Sequence, residues 1–331
     1  MKRGIVGLLI LVAILVIGLS GTGSQTGGVI ERSLDSIYGA PGFIYELIFG
    51  PGMPDPNRQT IRIATWNVEN WGKAKTTDPQ RMGKIAEVLS HYDVVAVQEI
   101  SNIKEQKDPD CPRNQDCPGN PSCGLIGSAL EEYLNEGLGL NYSFVFSPQV
   151  RDERYLFVYD QEKVELLGSD LVEDPGDSEP ICDASPESTG LMVRQPFAGS
   201  FRAGDFDFTL LNVHTSPGIN LQELKGLERL YSDILEMEEP DVIVLGDLNA
   251  DCDYLGPKDR VALRDEGYIW VVDDEADTTV GSSDCAYDRL VFTEPTMEDY
   301  AGSWGVEMGI PRDVSDHYPV WADFYIDGDT A

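Results

Sequence analysis

The segment from Asp241 to Leu255, DVIVLGDLNADCDYL, concentrates residue types that can do chemistry. Val242 to Leu245 is an unbroken apolar run, which reads as a strand buried on both faces. The run stops at Gly246, and Asp247, Asn249 and Asp251 follow with small or apolar residues between them. A buried strand that ends in carboxylate and amide oxygens suits a hard cation such as Mg²⁺, or Mn²⁺ in its place. A polar turn is the competing reading, because Gly, Asp and Asn favour turns for purely local reasons. The ends of the other strands decide between the two.

The strand IRIATW, from Ile61, ends at Asn67, and Val94 to Val97 ends at Gln98 and Glu99. Glu153 precedes a strand from Tyr155 to Tyr159. Leu191 to Phe201 and Phe206 to Val213 read as an antiparallel pair, the second ending at His214. Asp288 opens the strand RLVF, and Asp316 and His317 precede YPVWADF. Between these lie three helical patterns. Asp78-Pro79 opens the first, with Asp as N-cap and Pro in the first turn, and Met82, Ile85, Ala86 and Leu89 form one face. His91 sits at its end, where the helix dipole favours a cation. The second runs from Leu125 to Asn135, with Ile126, Ala129, Leu130, Tyr133 and Leu134 inward, and the third is marked by Leu221, Leu224, Glu228, Tyr231 and Ile234. Strand-end residues from many segments converge on one rim of a sheet in many active sites. Two of the chain's 3 histidines fall in this set, which argues against a chance scatter.

Composition bounds the rest. A chain of 331 residues with 41% hydrophobic content can bury a real core, in one large domain or two small ones. With 58 acidic and 24 basic residues its net charge is −34, a field that repels nucleic acid and anionic membranes unless cations intervene. Met1 to Arg3 is a basic start, followed by a run to Leu19 with no charge and small residues at Gly18, Ser20 and Gly21. Residues 1–21 thus read as an export signal, either cleaved near Ser20 or kept as an N-terminal membrane anchor. Residues 22–60 form a Gly- and Pro-rich extension, 61–326 the globular domain and 327–331 a tail. In an exported chain six cysteines read as disulfides; zinc held by Cys111, Cys117, Cys123 and Cys182 is disfavoured because no C-x-x-C pair occurs.

The series TWNVEN, VQEI, DERYLF, NVHTSP, GDLNADC, CAYDRLVF and SDHYPV resembles the endonuclease/exonuclease/phosphatase superfamily, and within it the deoxyribonuclease I family. The likeness runs in order from Ile61 to about Ile326. It implies an α/β (α+β) four-layer sandwich, two packed mixed β-sheets flanked by helices, with the site at one edge. The implied reaction is metal-dependent hydrolysis of a phosphodiester in DNA. With the export segment, the chain reads as a monomer, secreted or membrane-anchored facing outside, and no protein partner is inferred. By the same resemblance Glu99 is the main metal carboxylate, helped by Asn67, Asp247, Asn249 and Asp316. His214 pairs with Glu153 and His317 with Asp288, each carboxylate fixing an imidazole tautomer for acid–base work. Arg194 matches a phosphate-contacting residue. Cys252 and Cys285 match a disulfide, and Asp277, Thr279, Gly281 and Ser283 fall where the family binds a structural Ca²⁺, with Gly281 and Ser283 replacing side chains seen there.

The departures are local. Ser101 replaces an arginine that reaches the DNA minor groove, and Arg151, in a shorter loop, replaces a stacking tyrosine. An insertion from about Ile103 to Cys123, carrying Lys104, Lys107 and Arg113, has no counterpart. The resemblance therefore implies kept catalysis and a changed grip on DNA. Two other classes compete: the same chemistry on a lipid or small phosphate ester, and a non-catalytic surface-binding protein on this fold. The specific segments DERYLF, NADC and CAYDR argue against the first, and the intact set of candidate catalytic residues argues against the second.

Overall fold

Alternating side chains give each long strand two apolar faces. Along β1 (Thr60–Trp71), Ile61 and Ile63 belong to one core cluster while Ala64, Trp66 and Val68 belong to another. The same split recurs in β2 (Val94–Ser101) and β4 (Glu153–Asp160), where Val94, Ala96, Tyr155 and Phe157 oppose Val95, Val97, Leu156 and Val158. A strand apolar on both faces must be covered on both, and this dictates the layers.

The computed structural model describes residues 54–101, 121–151, 153–173, 191–235, 241–256, 258–264 and 267–328, the side chains of 121–123, 232–235 and 262 excepted. The expected signal or anchor at 1–21, the extension as far as residue 53, the insertion with Cys111, Cys117, Lys104, Lys107 and Arg113, and the Cys182 loop lie outside them, as does the side chain of Cys123. Two six-stranded mixed sheets are present. The remaining strands are β3 (Tyr142–Phe146), β5 (Glu165–Leu171), β6 (Phe197–Ala203), β7 (Phe206–His214), β8 (Val242–Asp247), β9 (Tyr268–Trp270), β10 (Asp288–Thr293), β11 (Tyr300–Val306) and β12 (Val320–Tyr325). The first sheet has the order β11-β12-β1-β2-β4-β3 and the second β5-β6-β7-β8-β10-β9. Their inner faces share one core that includes Phe157, Phe201, Phe208, Leu245, Phe292 and Phe324. Helix α1 (Pro79–Leu89) and helix α2 (Pro121–Leu130), the latter running on as a π turn (Glu131–Gly137), cover the outer face of the first sheet. Helix α3 (Asn220–Leu235) covers the second. This is the layered sandwich that the resemblance implies.

The expected helices are present. Asp78 caps α1 by accepting from Gln80 N–H at 3.0 Å and Arg81 N–H at 3.2 Å. His91 is exposed, and its Nδ1 lies 3.0 Å from Glu307 Oε1 rather than on a helix carbonyl. Strand ends differ from the sequence reading in three places. Residues 191–196 are not strand and β6 starts at Phe197, because Pro196 has no N–H for a ladder. Strands β1 and β2 run past Asn67 and Glu99, with register shifts between Asn67 and Trp71 and between Val97 and Ile100. The edge strands β5 and β11 had no readable pattern; β5 is largely exposed and so carries no apolar period.

Among the described residues only two strand pairs are parallel, β1 with β2 and β7 with β8. Parallel pairing brings the C-terminal ends of all four to one rim of their sheets. Their antiparallel neighbours β4, β10 and β12 begin at the same rim. Gly246 makes this possible in the second sheet. Its φ is +148°, and a Cβ there would sit 1.8 Å from the Val213 carbonyl oxygen. Only glycine lets β7 and β8 stay in register through His214 and Asp247. Just beyond, Cys252 and Cys285 form a disulfide that ties the loop after β8 to the loop before β10.

Two outcomes follow. Gly246→Ala should cost on the order of 3 kcal/mol or more in urea unfolding, since the clash is with backbone that cannot rotate away. Wild-type stability in that variant would refute the argument. Reduction should destabilise the domain by about 3–4 kcal/mol, as expected for a crosslink closing a loop of this size. Non-reducing peptide mapping should recover the Cys252–Cys285 pair.

Candidate active site

Asp247 is the last residue of β8 and lies in register with His214 on β7 and with Asp288 on β10. The second sheet therefore delivers an imidazole and two carboxylates side by side, all buried. The first sheet faces them with Asn67, Glu99 and Glu153, and with His317 from the turn before β12. Both imidazole–carboxylate contacts cross between the sheets. His214 Nδ1 lies 2.8 Å from Glu153 Oε1, and His317 Nδ1 lies 2.7 Å from Asp288 Oδ2. Asn67 Nδ2 lies within donating distance of both Asp247 Oδ2, at 3.1 Å, and Glu99 Oε1, at 3.0 Å. The two imidazoles then present their Nε2 atoms to one point: each is 3.6 Å from Asp247 Oδ2.

Local backbone geometry aims these side chains. Glu69, Asn70 and Glu99 all adopt left-handed φ, +35°, +52° and +60°, inside the irregular ends of β1 and β2. Such bulges turn a side chain out of the regular pleat at a real energetic cost. The cost is offset by bonds: Asn70 N–H donates to Glu99 Oε2 at 2.8 Å, and Glu69 N–H to Asn67 Oδ1 at 2.9 Å. Asn249, also left-handed at φ +47°, donates its backbone N–H to Asp247 Oδ1 at 3.0 Å and its Nδ2–H to the Thr215 carbonyl at 3.0 Å. Ser315 donates to the Asn67 carbonyl and accepts from His317 N–H, so the β12 turn is pinned to β1.

The other expected residues divide. Asp316 is half-buried at the rim, its Oδ1 4.0 Å from His317 Nε2. Arg194 lies against Glu153 and donates from Nη1 to Ser216 Oγ at 3.1 Å, so it sits behind the His214 pair. Asp277 Oδ1 accepts from Thr279 N–H at 3.0 Å, while the Thr279 hydroxyl lies 2.6 Å from the Ser283 carbonyl. These donors are engaged with one another, and the loop packs beside His317 through the Thr279–His317 bridge.

Two groups of atoms could hold a cation. Single ligand atoms of Asp247, Asp288 and His317 lie within 4.8 Å of one another. Asp288, however, is fully buried and already bonded to His317 Nδ1. Glu99 and Asp247 form the better pair for a hard ion, because their carboxylates meet around the Asn67 amide, which turns Nδ2 toward both and gives Oδ1 to Glu69 N–H. Charge is tightly coupled throughout. Burial alone would lower the His317 pKa, but Asp288, Asp247 and Asp316 outweigh it and push it up to about 10. His214 follows the same balance, burial against Glu153 and Asp247, and its pKa is raised. Burial also raises the Asp288 carboxyl against the pull of His317. Both members of that pair thus favour keeping the proton they share between Nδ1 and Oδ2.

Several supporting residues escaped the sequence reading. Lys75 is buried and its Nζ donates to the carbonyls of Val68 and Glu69 and, at 2.7 Å, of Val314, fastening the β1 bulge to the β12 turn. Burial lowers its pKa against the opposing charge of Glu69. Nothing in the sequence marks this lysine. Glu223 is legible in retrospect, as an acid on the apolar stripe of α3 with Leu227 and Leu230. It accepts from Val193 N–H at 2.8 Å and Ser216 N–H at 2.5 Å, holding both flanks of Arg194. Gln98 Nε2 donates to Asn212 Oδ1 at 2.7 Å, a buried polar contact between the sheets just below the site.

The chain belongs to the endonuclease/exonuclease/phosphatase family, whose model matches residues 64–317. Among curated proteins it is similar to human deoxyribonuclease-1-like 2, at 33% identity over 78% of this chain and 90% of that one. It is also similar to deoxyribonuclease-1 of Oryctolagus cuniculus, at 26% identity over 79% and 91%. Among solved structures, the family protein from Bacteroides thetaiotaomicron superposes with a TM-score of 0.55 at 14% identity, covering 82% of this chain and 99% of that one. The family protein from Bacteroides vulgatus gives 0.53 at 17% identity, covering 82% and 100%.

The raised imidazole pKa values set a pH dependence. A histidine whose folded pKa lies above its unfolded value stabilises the fold fully below about 6.5, and that contribution is lost as pH rises through the folded value. Metal-free protein should therefore lose thermal stability between about pH 6.5 and about 10. His317→Gln should flatten that slope. An unchanged slope in the variant would show that His317 does not carry it.

Proposed function

We propose that this chain is an exported or surface-anchored endonuclease that hydrolyses phosphodiester bonds of DNA with the help of a divalent cation, Mg²⁺ or Mn²⁺. The observation that carries the reading is the pair of imidazoles, each backed by its own buried carboxylate, with both Nε2 atoms 3.6 Å from Asp247 Oδ2. Two proton-transfer groups directed at one point are what in-line displacement at phosphorus needs. One imidazole takes the proton of the attacking water at Nε2, and the other delivers a proton from Nε2 to the leaving oxygen. Glu153 and Asp288 hold Nδ1–H on each ring, which fixes Nε2 as the working atom and stabilises the imidazolium when it forms.

Glu99 and Asn67, with Asp247, Asn249 and Asp316, would hold the cation. Bound there, it would neutralise the phosphate and the charge that develops on it in the transition state. Asn67 donates to both Glu99 and Asp247, and so keeps the carboxylates converged. Arg194, packed on Glu153 and Ser216, backs the His214 pair, and the resemblance favours it as a phosphate contact at that end. DNA as substrate is favoured by the two deoxyribonuclease relatives. Export is favoured by the basic and apolar start of the chain and by the Cys252–Cys285 bond, which persists in oxidising compartments.

The test is nicking of supercoiled plasmid in Mg²⁺. Wild-type protein should nick, and a chelator should abolish it. His214→Ala and His317→Ala should each lose ~10²–10⁴-fold in turnover while circular dichroism reports an intact fold. Turnover near wild type in either variant would overturn the assignment of roles.

A further inference from the structure

Arg312 stands out among the cations near the site because it is well exposed and, among the described residues, is joined to acids of the rim. Its side chain is 57% exposed. Nη1 donates to Glu69 Oε2 at 2.7 Å, and Nη2 lies 3.6 Å from Asp316 Oδ2. Glu69 occupies the left-handed bulge beside Asn67, and Asp316 precedes His317. The guanidinium therefore sits at the mouth of the site, on the side where the first sheet presents Asn67, Glu99 and Asp316.

An exposed pair of this kind adds little to stability, since solvent screens it and two long side chains must be held still. The fold does not need it either. Lys75 already joins the β1 bulge to the β12 turn from below, through backbone carbonyls on both. What Arg312 offers is a planar fork with several N–H donors directed to solvent beside a site that must admit an anionic polymer. In a chain of net charge −34, a cation parked at that mouth changes the local field where a phosphate arrives. Glu69 keeps the fork in place without burying it.

We propose that Arg312 is a substrate-anchoring residue: its guanidinium binds a DNA backbone phosphate next to the scissile one, and Glu69 positions it for that contact. This rests on the reading of the chain as a nuclease. On binding, no bond forms or breaks; phosphate oxygens take donors that face water or Asp316. Phosphate contacts fix the register of the duplex and carry no base preference, so the effect should be uniform across sequences. It also depends on the length of the substrate, because the phosphate contacted is not the one cleaved.

Steady-state kinetics in Mg²⁺ on duplex DNA and on a small aryl phosphodiester test this. Arg312→Ala should raise KM for DNA by about 5- to 10-fold, the size of one solvent-screened hydrogen bond, with kcat changed less than about two-fold. The loss in kcat/KM on the aryl ester should be several-fold smaller. Arg312→Lys should fall between wild type and alanine, keeping the charge but losing the fork. Glu69→Gln should raise KM for DNA by clearly less than Arg312→Ala, because it loosens the guanidinium but leaves its charge at the mouth. The proposal is overturned if Arg312→Ala leaves KM for DNA unchanged, or if Glu69→Gln raises it as much as Arg312→Ala does, which would make the pair a structural brace. Wild-type protein that cleaves the aryl ester but not DNA would remove the DNA reading and this inference together. A wild type active on DNA with an indifferent Arg312→Ala would remove this inference alone.

Discussion

Neither sheet satisfies the buried acids of the candidate site on its own, and that constraint organises the molecule. Glu153 belongs to the first sheet and is bonded to His214 of the second. Asp288 belongs to the second and is bonded to His317, which the first sheet's β12 turn supplies. Asp247, at the tip of β8, accepts from Asn67 on β1. An unpaired carboxylate at such depth would cost several kcal/mol. The sandwich therefore closes only in the register that brings these groups together. The candidate site is a polar fastener between two apolar faces, and the same bonds that close it orient its proton-transfer atoms.

That arrangement explains why strain collects at one rim. Glu69, Asn70, Glu99 and Asn249 are held left-handed, and Gly246 takes a φ no other residue could tolerate against Val213. Each departure redirects a side chain or lets strands approach more closely than a regular pleat allows. The surroundings over-determine them: Asn67 Oδ1 and Glu99 Oε2 receive the bulge N–H groups, and Lys75 collects its carbonyls.

Electrostatics add a second layer. The chain is strongly acidic, and its candidate site is acidic too, so on the proposed function an anionic substrate would be admitted only where cations stand. Imidazoles with raised pKa values, a divalent ion bound to the oxygen ligands, and the guanidiniums of Arg194 and Arg312 would be local answers to that long-range repulsion. They act at contact distance, where the field of the whole chain is screened by salt and theirs is not.

The sequence by itself determined more of this site than of the fold's edges. Asn67, Glu99, His214, Asp247, Asp288 and His317 were legible because each interrupts or bounds an apolar run, and a buried strand must end where polar residues begin. The α1 cap at Asp78 was legible for a similar local reason. By contrast, β5 and β11 were invisible, since an edge strand half in water needs no apolar period. Pairing was also beyond the residues themselves: that His214 meets Glu153, 61 positions away, and not Asp288 depends on which strands run parallel. Lys75 and Arg312 gained their partners only in three dimensions. A lysine and an arginine look like solvated surface in a sequence, and their partners are backbone groups or acids brought near by sheet closure. Local chemistry chooses what stands at a strand's end; only the packing of one sheet on the other decides what it faces.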